Sequence, residues 1–246
     1  MARFKGLKIG LQSHTLHHFG LDVVEEEMKK LQLKHIEFPR PHLPIDNAEK
    51  RAEAMRFCSA NGIKIDACGV MPMPADEEGC RAVFEHAKAL GVEIISIFPE
   101  LDAFPILNRL VKEYGIRLAI HNAGPDRTWS DIESVERGLA QADPMIGACL
   151  DTGHFTRMGI DPIEALCRLG DRVFVVHLKD RGLDRDGQRG EEYVIGDGPL
   201  DLEAVLNWLL EHQFTGPIYI EYEKVGHTDA RPELHEAVAR IERILS

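Results

Sequence analysis

The chain has 246 residues, 44% of them hydrophobic, enough for one large core without disulfide support. Its 41 acidic and 29 basic residues leave a net charge of −12, which argues against a nucleic-acid partner, because such proteins present a basic face to phosphate. Five cysteines without a CxxC pair indicate neither a disulfide framework nor a zinc ribbon.

Short apolar, often β-branched runs recur along the chain at Leu7–Gln12, Leu33–Phe38, Ile63–Cys68, Val92–Phe98, Ile116–His121, Ile146–Asp151, Val173–Leu178 and Pro217–Tyr222. Each precedes a stretch with apolar residues at three- and four-residue steps, which predicts helices over Val23–Leu31, Ala48–Asn61, Asp76–Leu90, Phe104–Tyr114, Ile132–Gln141, Pro162–Leu169, Leu202–His212 and Pro232–Leu245. Asp22, Asp131, Asp161 and Asp201 stand where N-caps belong, and Gly62, Gly91, Gly115 and Gly170 follow helices as stops. Strand onsets fall about thirty residues apart, the size of one βα unit. Repeated units of this kind predict an α/β fold, a single (β/α)8 TIM barrel over residues 1–246. The polar stretch Asp180–Asp197 after the seventh strand is a candidate lid, since loops at strand C-termini surround barrel active sites. The N-terminus runs straight into a strand, leaving no room for a signal peptide, and no segment approaches ~18 uninterrupted apolar residues. A cytoplasmic protein without a membrane partner is expected.

The run Ile146 to His154 organises the chemistry. An apolar strand stops at Asp151, and three others stop the same way, at His121, His177 and Glu221. Side chains of equal parity share a strand face. If these four point inward, Ala119, Cys149, Gly147, Val175, Lys179, Tyr219 and Glu223 do too. Leu118, Ile120, Leu150, Phe174, Val176, Ile218 and Ile220 then face the helices. Both faces make sense, and four such strand ends form a cage for one divalent metal ion. Two imidazoles and two carboxylates suit Mn²⁺ first, with Co²⁺, Fe²⁺ or Zn²⁺ as alternatives, better than Mg²⁺. Taken singly, each residue reads equally well as a cap or a supporting group. Lys179 shares parity with His177 and would bind a substrate oxygen or phosphate, or form an ordinary barrel salt bridge. His14 at the first strand end would line the pocket, and Trp129 after the fifth strand would offer a sugar an apolar face.

The chain resembles the xylose-isomerase-like barrels, and among them the sugar phosphate isomerase/epimerase group. The resemblance rests on Leu-Lys-His-Ile-Glu-Phe at 33–38, Cys-Leu-Asp-Thr-Gly-His at 149–154, Val-His-Leu-Lys-Asp at 176–180, Ile-Gly-Asp-Gly-Pro-Leu-Asp at 195–201 and Gly-Pro-Ile-Tyr-Ile-Glu at 216–221. Relatives include ketose 3-epimerases, inosose isomerases and dehydratases, hydroxypyruvate isomerases and endonuclease IV. The resemblance implies Asp151, His177 and Glu221 as metal ligands, with His121 at the fifth-strand position. It makes Glu37 an active-site group, unless that acid pairs with Arg40 or Lys179. His154 would support a ligand, or bind a second metal as in endonuclease IV.

His121 departs from the family, which commonly has glutamate there. In the epimerases two metal-bound glutamates shuttle a proton between substrate faces, and a metal-bound imidazole cannot take that part because its lone pair is occupied. His121 is thus either a ligand or an acid/base. The implied function is a metal-dependent isomerase or epimerase of a ketose, sugar phosphate or keto-polyol, working through an enediolate with Glu221 as base. The alternative is a dehydratase or lyase that eliminates a β-leaving group from the same intermediate. A phosphoesterase like endonuclease IV lacks its ligands here, and a barrel that only binds sugar is the non-enzymatic rival. A small sugar or polyol is the expected partner, and the resemblance extends to homo-oligomers.

Overall fold

The structure, a computed structural model, describes residues 3–223 and 229–246. Eight strands that would each expose unpaired backbone edges are closed on one another, which removes those edges. They are β1 (Lys8–Gln12), β2 (His35–Phe38), β3 (Lys64–Met73), β4 (Ile94–Pro99), β5 (Arg117–His121), β6 (Ile146–Asp151), β7 (Val173–Leu178) and β8 (Pro217–Ile220). All pair in parallel in sequence order, and β1 meets β8 from Lys8↔Pro217 to Leu11↔Ile220 to shut the barrel. The helices are α1 (Leu21–Lys30), α2 (Ala48–Ala60), α3 (Glu77–Leu90), α4 (Phe104–Tyr114), α5 (Ile132–Ala140), α6 (Thr152–Thr156), α7 (Pro162–Leu169), α8 (Leu202–Glu211) and α9 (Arg231–Leu245). None of the described helices is long and apolar enough to cross a membrane.

Strand alternation divides the core in two. Ala67, Ile94, Ala119, Cys149, Val175 and Tyr219 fill the barrel interior. Leu118, Ile120, Leu150, Val176, Ile218 and Ile220 join the larger core against the helices. Phe174 is the exception to the expected parity. The β6–β7 register shifts between Ala148 and Cys149, and Phe174 packs against the interior set instead. Its ring lies 2.6 Å from where a Cβ on Gly147 would stand, so a residue without a side chain makes room for it.

The caps follow hydrogen-bonding need. Asp131, Asp161 and Asp201 accept from the backbone N–H groups of Ser134, Ile163 and Ala204. Asp22 does not cap: α1 starts earlier, with Gly20 as N-cap and Asp22 inside the first turn, where its charge still complements the helix dipole. β3 continues five residues past Cys68 to Met73, and the unexpected five-residue α6 follows β6 at once. The loop after β7 is pinned by Asp180, whose carboxylate accepts from the N–H groups of Gly196, Gly198 and Leu200 at 2.9, 2.9 and 3.1 Å.

Candidate metal centre

The motif Asp151-Thr152-Gly153-His154 explains how β6 delivers its acid. Asp151 Oδ1 accepts from His154 N at 2.8 Å and so caps α6, which turns Oδ2 into the barrel mouth. Thr152 Oγ1 donates to Lys179 O at 2.7 Å, tying β6 to β7. A Cβ on Gly153 would stand 2.4 Å from Lys179 Cβ, so only glycine lets that lysine close in. Asn122 clamps the same strand end, its amide donating to Asp151 O at 2.9 Å and its Oδ1 accepting from Asp151 N at 2.7 Å.

Four strand ends meet here. One ligand atom from each of His121, Asp151, His177 and Glu221 lies within 4.8 Å of the other three, and all four residues are buried. His121 Nε2 stands 3.3 Å from Asp151 Oδ2, and His177 Nδ1 stands 2.9 Å from Glu221 Oε2. None of these four atoms makes an aligned hydrogen bond among the described residues. Buried polar atoms are costly without hydrogen bonds, and although Lys179 forms ion pairs with the two carboxylate oxygens, four donors that converge on one point fit a divalent cation.

The electrostatics agree with that fit. Burial lowers the pKa of His121, which keeps a lone pair for a ligand role. Burial opposes charge on Asp151 and Glu221, but Lys179 and the neighbouring histidines outweigh it. They hold Asp151 well below the carboxylate range and Glu221 at about 2. Burial also opposes an imidazolium on His177, yet Cys149, Glu37 and Glu221 hold its pKa well above the ordinary value. A proton there does what a cation would do. Lys179 Nζ lies 3.0 Å from Asp151 Oδ2, 3.2 Å from Glu221 Oε2 and 2.8 Å from Glu223 Oε1; despite burial, these carboxylates keep it charged.

Glu37 neither lines the pocket nor pairs with Arg40 or Lys179. It is fully buried and its Oε2 accepts a hydrogen bond from His177 Nε2 at 2.6 Å, which leaves Nδ1 to face the cage. Trp129 does not offer its face to a ligand either. Its Nε1 donates to Pro99 O at 2.9 Å and its ring packs edge-on against Phe104, in the core behind β4 and β5.

His154 is buried, 3.7 Å from Glu223 Oε1, and lines a cavity of about 550 Å³ together with His121, Phe98, Arg127, Arg157 and Glu223. His14 lines a second cavity of about 210 Å³ with Gln12, Arg40 and Glu221. Val70 and Glu223 border both, so the two are lobes of one cleft over the cage. Arg157 holds Asp184 of the β7 loop, and Arg189 reaches Glu223 at 3.0 Å, so that loop is anchored over the larger lobe. Glu223 was placed inward at the sequence level by its parity with Glu221 but given no role, and Asn122 was missed, since it has no signal without the β5–β6 register.

Comparison with known proteins places the fold in a family. The family model for the xylose isomerase-like TIM barrel matches residues 18–244. The inosose dehydratase of Geobacillus kaustophilus is 33% identical over 130 residues, 47% of this chain and 42% of that protein. The inosose dehydratase of Clostridium perfringens is 24% identical over 246 residues, 91% of this chain and 80% of that protein. The chain thus aligns with under half the length of the first relative and most of the second. The IolI protein with a bound zinc atom has the same fold, with a TM-score of 0.78 at 21% identity over 98% of each chain. A closed eight-stranded barrel, matched by that family over almost its whole length, makes this chain a member of the xylose isomerase-like TIM barrel family.

Proposed function

We propose that the protein is a metal-dependent carbon–oxygen lyase that dehydrates a keto-polyol or keto-sugar. The observation that carries the reading is the convergence of His121 Nε2, Asp151 Oδ2, His177 Nδ1 and Glu221 Oε2, buried together and without an aligned hydrogen bond among the described residues. A divalent ion held by these atoms would supply the Lewis acidity that makes a C–H beside a carbonyl acidic. Glu221 borders the smaller lobe of the cleft and takes that proton on Oε1, the oxygen not turned into the cage; the electron pair forms the double bond, the C–O bond of the β-hydroxyl breaks, and the hydroxide leaves as water on taking up a proton. Lys179 Nζ, kept charged by three carboxylates, offsets the negative charge that grows on the substrate. The wall formed by the β7 loop, through Arg157–Asp184 and Arg189–Glu223, limits water around the reacting carbons.

Elimination is favoured over epimerisation by His121. An epimerase needs a second carboxylate to return the proton to the opposite face, and an imidazole that ligates the ion has no free lone pair for it. The names of the relatives, inosose dehydratases, point the same way. Manganese, the first expectation, and zinc both remain within this donor chemistry.

Elemental analysis of the purified protein beside Asp151→Ala, followed by incubation with an inosose in deuterated water, tests the reading. The expected result is one divalent ion per chain, lost in Asp151→Ala, with loss of water from the inosose only in the loaded protein. Solvent deuterium placed on the former carbonyl carbon without loss of water would favour an isomerase, and deuterium returned to the original carbon an epimerase. An ion-free protein after reconstitution would sink the metal mechanism.

A further inference from the structure

The chain carries a net charge of −12, yet the larger lobe of the cleft is walled by three arginines, Arg127, Arg157 and Arg189, and among the described residues by one acid, Glu223. That acid is already shared. Lys179 Nζ at 2.8 Å, Arg181 Nη1 at 3.3 Å and Arg189 Nη2 at 3.0 Å all contact its carboxylate. An ion in the cage would also offset the charges of Asp151 and Glu221, which Lys179 otherwise shares. The loaded cleft therefore holds an excess of positive charge, which attracts an anion.

Two of the arginines have hydrogen-bonding capacity to spare. Arg157 is buried; its Nε donates to Asp184 Oδ1 and Oδ2 at 3.0 and 2.9 Å, and its Nη2 donates to Asp184 Oδ2. Among the described residues its Nη1 has no acceptor, and it lies 2.6 Å from where a Cβ on Gly124 would stand, at the wall of the lobe. Arg127 stands at the exposed rim, its guanidinium carbon 6.0 Å from the centre of the Phe98 ring, and no described carboxylate pairs with it. Guanidinium groups match the oxygens of a carboxylate or a phosphate. His121 of the cage borders this same lobe, so a molecule whose anionic end meets the arginines extends toward the ion.

We propose that the substrate carries an anionic oxygen group, a carboxylate or a phosphate, which Arg157 Nη1 and Arg127 bind in the larger lobe while the reacting carbons lie over the cage. The inference rests on the dehydration proposed above and narrows its substrate to an acidic keto-polyol or keto-sugar. An inosose, being uncharged, reaches the ion and leaves both arginines unmatched.

Inorganic phosphate and acetate are the probes, titrated by calorimetry into the metal-loaded protein and into Asp151→Asn, which keeps the arginines and loses the ion. The expected result is binding of at least one probe to both proteins, since the ion is not what holds it. The tighter probe names the group: phosphate for a phosphorylated substrate, acetate for a carboxylated one. Arg127→Met should weaken that binding by roughly tenfold or more; Arg127 is exposed, so the variant tests binding and not folding. Gly124→Ala, whose methyl crowds Arg157 Nη1, should weaken it without removing a charge. Arg185→Met, which removes an exposed arginine of the β7 loop outside the lobe, should leave the affinity unchanged. Binding that is absent, that disappears in Asp151→Asn, or that falls as much in Arg185→Met as in Arg127→Met overturns the proposal and leaves the metal enzyme standing. A protein that takes up no ion overturns the dehydration, while the same titrations still decide whether the lobe is an anion site.

Discussion

Asp151 divides its oxygens between structure and chemistry: Oδ1 caps α6 and Oδ2 enters the cage. The two roles separate by substitution. Asparagine keeps a capping oxygen, so Asp151→Asn should melt higher than Asp151→Ala by an amount matching about 1 kcal/mol, while both lose the ion. Equal melting temperatures would show that the cap contributes nothing. Gly153 makes a second test at this scale. A methyl there meets Lys179 Cβ at 2.4 Å, and overpacking of this kind costs about 1–3 kcal/mol. Gly153→Ala should therefore lower stability in thermal melts and weaken metal binding by shifting Lys179. Unchanged melting and affinity would mean that the β6 turn yields without disturbing the lysine. The four cage residues were legible in the sequence because a polar residue at the end of an apolar strand has few reasons to be there. Glu37 and Trp129 were not. Glu37 is defined by His177, 140 positions away, and Trp129 by the Pro99 carbonyl and the Phe104 ring, contacts that exist only once the strands have closed.

Elements were readable where a period had room to repeat. The longer helices show it over several turns, whereas α6, at five residues, is too short for any period and is set by the Asp151 cap. β3 runs on through Gly69 and Pro72, which read as strand breakers, because the β4 register resumes at Met71 after a shift. The loops at the strand ends obey buried hydrogen bonds instead of periodicity, and His42 shows the consequence. Its Nδ1 pairs with Ser13 Oγ at 2.8 Å and its Nε2 with Phe19 O at 3.2 Å, linking the loop after β2 to the turn after β1. Burial, only partly offset by the Phe19 carbonyl, lowers its pKa from 6.5. The unfolded chain therefore binds this proton more readily than the folded one. Its contribution is intact above about pH 6.5 and is lost as pH falls toward the depressed folded value, at up to about 1.4 kcal/mol per pH unit. His42→Gln keeps a hydrogen-bonding amide but cannot titrate. The fall in melting temperature between about pH 7.5 and about pH 5 should be smaller in His42→Gln than in the wild type. An identical fall in both would remove His42 as a cause.

At the scale of the whole molecule, the cage and its support draw on β2, β5, β6, β7 and β8: Glu37, His121, Asp151, His177 and Glu221 each lie within one residue of a strand's C-terminal end. Nothing in the local sequence brings these elements together; the closed parallel order does. An ion at this point therefore ties the last four strands to one another and acts on global stability as well as on chemistry. The unfolded chain does not present the four atoms together, so the ion binds the folded state and stabilises it by mass action. At about a hundred times its Kd the gain is about 2.7 kcal/mol, or about 5–10 °C in melting temperature for a chain of this size. Lys179 and the proton on His177 compensate part of the buried negative charge when no ion is present, so the ion-free barrel should fold and melt cooperatively at the lower temperature. Chelator-treated protein should show that drop and recover it on adding back the ion, whereas Asp151→Asn should melt at one temperature with or without it. If Asp151→Asn gained as much from added metal as the wild type, the stabilising ion would be bound elsewhere, and the four-strand cage would lose its claim to it.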